Sequence, residues 1–193
     1  MKKIFTLLLF TAVGLLISSC TPSRRSMYKS DHVLNADRAE SLSTELTVRI
    51  PEGWIPVEDN KNRSVDLWLV SDDLTASIVF TPIHIDLTTM NEIHENESDD
   101  LMDVLEYSKT IRKALHGDDY KEVREDEYFT INGKPFAAYQ FSREEQGITR
   151  VIIFRYLNHF FEMSAEFKNS ADFSAEDYEN LFNIQNSVIS SLK

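Results

Sequence analysis

From Glu45 onward the apolar residues of this chain recur mostly at every second position, in short runs separated by turn-forming residues. A period of two puts apolar side chains on one face of an extended strand, so such a chain is committed to sheet before anything else about it is known. Leu46, Val48 and Ile50 alternate with Glu45, Thr47 and Arg49; Pro51-Glu52-Gly53 ends that run with a turn, and Trp54 follows at once. Residues 65–70 and 76–83, separated by Ser71-Asp72-Asp73, read as a hairpin. Residues 128–131 and 134–143 flank Asn132-Gly133, a pair whose tolerance of positive φ suits a type I′ turn and predicts a second hairpin. Residues 148–157 are apolar on both faces apart from Arg150 and Arg155, as a central strand should be. Residues 159–167 alternate Phe161, Met163, Ala165 and Phe167 with Glu162, Ser164 and Glu166.

Two stretches switch to a helical period. In the first, Leu101, Val104, Leu105, Ile111 and Leu115 are expected to share a face; Asp99, Asp100 and Asp103 crowd its start and Lys109, Arg112, Lys113 and His116 its end, as the helix dipole prefers, and Gly117 stops it. The second runs from about residue 175 to 192, with Ser174 as N-cap, Asp177 three residues on, and a stripe of Tyr178, Leu181, Phe182, Gln185, Val188, Ile189 and Leu192. No repeat and no linker divides residues 45–193, so a single α+β domain is expected: one antiparallel sheet covered by helices, the simplest arrangement that hides both apolar faces. A hydrophobic share of 42% is enough for one packed core, and only 5 Gly and 5 Pro exclude loop-dominated or collagen-like architectures.

The N-terminus reads as an address. Lys2 and Lys3 precede a mostly apolar run from Ile4 to Ile17, too short for a stable transmembrane helix, and Ile17-Ser18-Ser19-Cys20 resembles a bacterial lipobox. The resemblance implies that residues 1–19 are a signal peptide and that Cys20 carries lipid. An ordinary secretory signal with a chance Cys is the alternative. Cys20 is the chain's single cysteine, so acylation there would exclude disulfides and thiol chemistry and leave the body to be stabilised by its core alone. Residues 20–44 are polar and without apolar period, and read as a tether with a reach of roughly 25 to 30 Å. Thr21 in place of Asp favours the outer membrane, facing the periplasm.

Charge narrows the partners. The chain carries 20 basic and 32 acidic residues, net −12; loss of residues 1–19 removes Lys2, Lys3 and no acid, leaving 18 against 32, or −14. Such a body is repelled by anionic lipid and lacks the Lys and Arg that neutralise phosphates, so attachment would rest on acyl chains and nucleic acid is not an expected partner. There is no G-x-S-x-G elbow, phosphate-cradling G-x-x-x-x-G-K-[ST] loop or H-E-x-x-H motif, so no catalytic residue and no cofactor is assigned. One constellation remains: His84 and Asp86, with His94 on the following segment, would present nitrogen and oxygen ligands to a divalent ion if the loop folded back. The plainer reading of that region is a solvated acidic patch, with seven carboxylates and no Lys or Arg between Glu92 and Glu106. Trp54 and Trp68 are either core residues or anchors for a partner.

The segment Leu46-Thr47-Val48-Arg49-Ile50-Pro51-Glu52-Gly53-Trp54 resembles the strand that opens the family containing the PsbP extrinsic subunit of photosystem II, the Ran-binding nuclear import factors and the bacterial DcrB-type lipoproteins. Ile131-Asn132-Gly133-Lys134 leading into long hairpins, and a C-terminal helix ending Ser187-Val188-Ile189-Ser190-Ser191-Leu192-Lys193, fit the same family. The resemblance implies an α/β/α sandwich used for binding or assembly and not for catalysis. A lipid-anchored envelope domain that binds a protein or peptide is therefore the leading expectation, and a periplasmic domain holding a small ligand or metal the alternative.

Overall fold

The computed structural model describes residues 28–57, 65–85, 97–144, 146–169 and 172–193. Its elements in chain order are strands β1 (Leu34–Glu40), β2 (Thr47–Pro51), β3 (Trp54–Pro56), β4 (Leu67–Ser71) and β5 (Ala76–Ile83), helix α1 (Glu97–His116), a 3-10 turn (Gly117–Asp119), strands β6 (Lys121–Glu122), β7 (Glu127–Ile131), β8 (Lys134–Arg143), β9 (Gly147–Tyr156) and β10 (His159–Phe167), and helix α2 (Ala175–Ser190). The main sheet has the order β3-β4-β5-β10-β9-β8-β6, with β7 also paired to β8, and its pairings are antiparallel.

Alternation along the central strands sends successive side chains to opposite cores. Phe136 and Ala138 of β8, Ile152 and Phe154 of β9, and Phe161 and Met163 of β10 meet Leu181, Val188 and Ile189 of α2. Ala137, Tyr139, Phe141, Val151, Ile153 and Phe160 meet Leu101, Val104 and Leu105 of α1. The result is the expected α/β/α sandwich. Both predicted hairpins form. At the β7–β8 turn Asn132 and Gly133 take φ of 52° and 77°, as a type I′ turn requires. Ser174 and Asp177 form a reciprocal capping box that starts α2, and Gly117, at φ 56°, follows the last residue of α1.

Three expectations change. Strand β2 lies outside the main sheet, in a two-stranded ribbon with β1 that helps α2 cover one face. The expected tether therefore does not extend to residue 44: β1 falls inside it, and the segment before β1 lies along α2. These residues show no apolar period because polar contacts hold them. Arg49 donates from Nε to the Asn35 carbonyl at 2.7 Å and from Nη2 to the Leu34 carbonyl at 2.8 Å; the His32 amide donates to Ser187 Oγ at 3.0 Å, and Asn186 Nδ2 to the Lys29 carbonyl at 3.1 Å. On α1, Ile111 and Leu115 are exposed, because the face turned to the sheet continues through Ser108, Lys109 and Arg112 instead.

An added Cβ at Gly133 meets no atom within 4 Å, so Gly133→Ala is expected to cost only the left-handed backbone penalty, about 1 kcal/mol. Urea unfolding should show a lower midpoint with an unchanged slope.

Candidate functional site

A polar residue at a core position of a central strand must find partners there, and Arg150 is such a residue, 2% exposed in the middle of β9. Its Nη1 donates to Gln185 Oε1 at 3.1 Å and Asn186 Oδ1 at 2.8 Å, both on α2, and its Nη2 donates to Glu127 Oε2 at 3.3 Å at the start of β7. Phe129 and Phe182 bracket the guanidinium, with ring centroids 5.4 and 5.7 Å from Cζ, and Tyr28 stacks on Phe129 at 4.6 Å. Gln185 in turn donates from Nε2 to the carbonyls of Met163, at 2.7 Å, and Arg150, at 3.2 Å. Burial pushes the Arg150 guanidinium below its ordinary range, and Glu127 opposes that shift.

Over this cluster opens a pocket of about 580 Å3, between the first turns of α2 and the connection from β6 to β7. Its floor contains Arg150, Glu127 and Gln140, and Ile148, Phe182 and Val123 supply apolar wall. Glu127 Oε1 is buried without a hydrogen bond and stands 3.6 Å from Arg124 Nη1. Gln140, 5% exposed, lines the same pocket. Lys29 and Arg124 on one side, and Glu176 and Glu179 of α2 on the other, carry charge at the mouth.

A second polar cluster lies under α1. Ser108 Oγ is bonded to the Tyr139 hydroxyl at 2.6 Å and donates to Glu162 Oε1 over a short contact, while Arg112 Nη2 donates to Glu162 Oε2 at 2.7 Å. With Ser108 and Tyr139 each 1% exposed and Glu162 and Arg112 partly buried, this set fastens α1 to β8 and β10. Burial, aided by the Glu162 charge, pushes the Tyr139 phenol well above its ordinary range. Lys109, almost fully buried, reaches Asp126 at 2.8 Å, Glu106 at 3.3 Å and Glu122 at 3.5 Å; burial alone would lower its pKa, but Asp126 and Glu106 outweigh it and raise the ammonium above its usual range. Tyr120 stacks on Phe141 at 5.0 Å and is pushed up to about 12, chiefly by burial. His116 lies over the same ring at 5.9 Å, and burial, then the cations Arg143 and Arg112, holds its imidazole below the usual range against the smaller pull of Glu166 and Asp119.

In fold, the chain is similar to cyanobacterial PsbP (CyanoP) from Synechocystis sp. PCC 6803, known as a solution structure, with a TM-score of 0.53 and 16% identity over 81% of this chain and 91% of that one. The domain has a PsbP-like fold. A protein of Bacteroides thetaiotaomicron VPI-5482 aligns with a TM-score of 0.32 and 15% identity, over 77% of this chain and 44% of that one. No family model and no curated protein matches the chain. The PsbP-like likeness is one of architecture, and the pocket is argued from the residues of this chain alone.

Of the residues singled out in the sequence, His84 follows β5 and is exposed, while Asp86, His94 and Cys20 lie outside the described residues, as do the acidic positions 92 and 95. Among the described residues no group of three His, Cys, Asp or Glu side chains is placed to hold a metal. Trp54 is core at 7% exposed, and Trp68 stands 36% exposed on β4. Sequence reasoning passed over the pocket, although its signal was present: Arg150 interrupts an apolar strand and Gln185 interrupts an apolar helical stripe, and the two interruptions face each other in this PsbP-like sandwich.

Arg150→Met is expected to lower stability by about 3 kcal/mol, because Glu127 loses its buried partner and keeps only the half-exposed Arg124 at 3.6 Å; Glu127→Gln in the Arg150→Met background should recover part of it. Additive losses in urea unfolding would contradict the pairing. The unfolded chain binds a proton at the ordinary histidine pKa near 6.5 while folded His116 resists it. Stability from this site is therefore complete above pH 6.5 and declines as the pH falls below it. Chemical denaturation at pH 7.5 and 5.5 should show a smaller decline in His116→Phe.

Proposed function

We propose that the protein is an envelope lipoprotein, anchored through lipid on Cys20, whose PsbP-like domain is a non-catalytic module that binds a protein or peptide partner. The anchor rests on the lipobox-like Ile17-Ser18-Ser19-Cys20 and the apolar run before it. Outer-membrane attachment facing the periplasm follows from Thr21 in the same reading. At most about 3.6 Å of chain per residue separates Cys20 from Tyr28, which packs on Phe129, so the body would stand within roughly 30 Å of its anchor.

The observation that carries the binding reading is the pocket over Arg150, whose floor holds a buried carboxylate oxygen, Glu127 Oε1, without a hydrogen bond and whose mouth carries both signs of charge. Buried groups of this kind cost stability unless something else hydrogen-bonds to them. The sheet edges favour the pocket as the contact point. One edge is the three-residue β3; the other is divided between the two-residue β6 and the five-residue β7, and β1 is irregular between Leu34 and Arg38. Short and broken edges are poor templates for an added strand. A small ligand held in the same cavity is the second reading, favoured by a volume within the roughly 300–1,000 Å3 of small-molecule sites.

Two measurements test the proposal. Mass spectrometry of the native product should find Cys20 acylated, and Cys20→Ser should move the protein from the membrane to the soluble fraction; a free thiol, or no redistribution, refutes the anchor. A photo-crosslinker placed at Asn180, on the pocket mouth, should give a discrete adduct in intact cells that one at Leu115, exposed on α1, does not. Equal patterns from the two positions would refute pocket-centred binding.

A further inference from the structure

Resting on the peptide-binding reading above, we infer that the pocket over Arg150 takes a short peptide with free ends, laid with a backbone amide on the floor and its two termini at the mouth. The floor sets the first requirement. Arg150 and Glu127 are both nearly fully buried and neutralise each other at 3.3 Å, while Arg124, 3.6 Å from Glu127, reaches solvent; a charged group pressed onto the buried pair would stand uncompensated in a low-dielectric site. The floor nevertheless needs partners. Glu127 Oε1 is buried without a hydrogen bond, and the Gln140 amide, in the same lining, carries both a donor and an acceptor. A single neutral group that supplies N–H and C=O together is an amide, and a peptide backbone presents one per residue.

The mouth sets the second requirement. Its cations, Lys29 and Arg124, come from the N-terminal segment and the β6–β7 connection, and its anions, Glu176 and Glu179, both come from the first turns of α2. A net anion would meet the α2 carboxylates and a net cation the opposing Lys and Arg, whereas a zwitterion places its carboxylate toward Lys29 and Arg124 and its ammonium toward Glu176 and Glu179. Between floor and mouth, Val123, Ile148 and Phe182 offer apolar wall for one side chain, and a volume of about 580 Å3 leaves room for a chain of a few residues. Floor, wall and mouth thus match amide, side chain and termini of one molecule.

The test is calorimetric titration of the full-length protein in detergent micelles with trialanine and its central-leucine and central-phenylalanine analogues. At least one is expected to bind saturably, with N-acetylation and C-amidation each weakening it by about threefold, the scale of an exposed ion pair, and Gln140→Leu by about tenfold, the scale of a buried hydrogen bond. Ala175→Trp and Asn180→Phe, at exposed positions on the mouth, should each abolish binding while leaving the urea midpoint near that of the wild type. Absence of saturable binding by all three peptides, binding indifferent to capping of both ends, or binding that survives both blocking substitutions would overturn the inference. Because the crosslink from Asn180 is read independently, its persistence beside a failed titration removes the short peptide alone, and its loss removes the binding reading as well.

Discussion

A guanidinium at the centre of a sheet is the interaction around which the described part of this molecule is arranged. Arg150 cannot shed its charge, so β9 can lie beneath α2 only if acceptors arrive from several directions. Glu127 arrives from β7, Gln185 and Asn186 from α2, and the rings of Phe129 and Phe182 pack against the guanidinium. Each partner is itself committed: Gln185 to the β9 and β10 carbonyls, Asn186 to the Lys29 carbonyl. The cluster therefore fixes where the C-terminal helix sits, where β7 begins and how the segment before β1 is laid down. It is a network in which every satisfied bond has a structural address, and in which Glu127 Oε1 is left without a hydrogen bond at the pocket floor.

The opposite face solves the same problem differently. Under α1 the buried Ser108 and Tyr139 and the partly buried Glu162 and Arg112 bond to one another. Lys109 and Lys113 then carry the helix outward to Asp126 on the β6–β7 connection and Glu122 at the end of β6, and that connection also forms one bank of the pocket. The two polar clusters on opposite faces are thus joined through that connection. The helix that looks remote from the pocket helps to hold one of its walls.

The strand pattern was legible because a period of two survives without knowledge of neighbours: the β4–β5 and β7–β8 hairpins, the central strand around Val151 and the capped start of α2 lie where alternation, Asn132-Gly133 and Ser174 place them. The exposure of Ile111 and Leu115 was not legible. A helical stripe can continue into polar residues when Tyr139 and Glu162 of the sheet and Asp126 of the β6–β7 connection receive them. Strand β1 was hidden for a related reason. Leu34–Glu40 has little apolar alternation and is held by backbone pairing with β2 and by the Arg49 side chain, contacts that no local window contains.

The sequence by itself determined that this chain would build an antiparallel sheet shielded by two helices, since side-chain periodicity, caps and positive-φ turns are local properties written residue by residue. Only the tertiary structure decided that Arg150 and Gln185, each an isolated blemish in an apolar run, face each other, and that Glu127 and Gln140 from separate strands come to lie beside them under an opening. Desolvation makes the difference. The cost of burying a charge or an amide, and hence the demand for partners, arises only when distant segments together exclude water, so a site built from such groups has no existence at the level of sequence spacing.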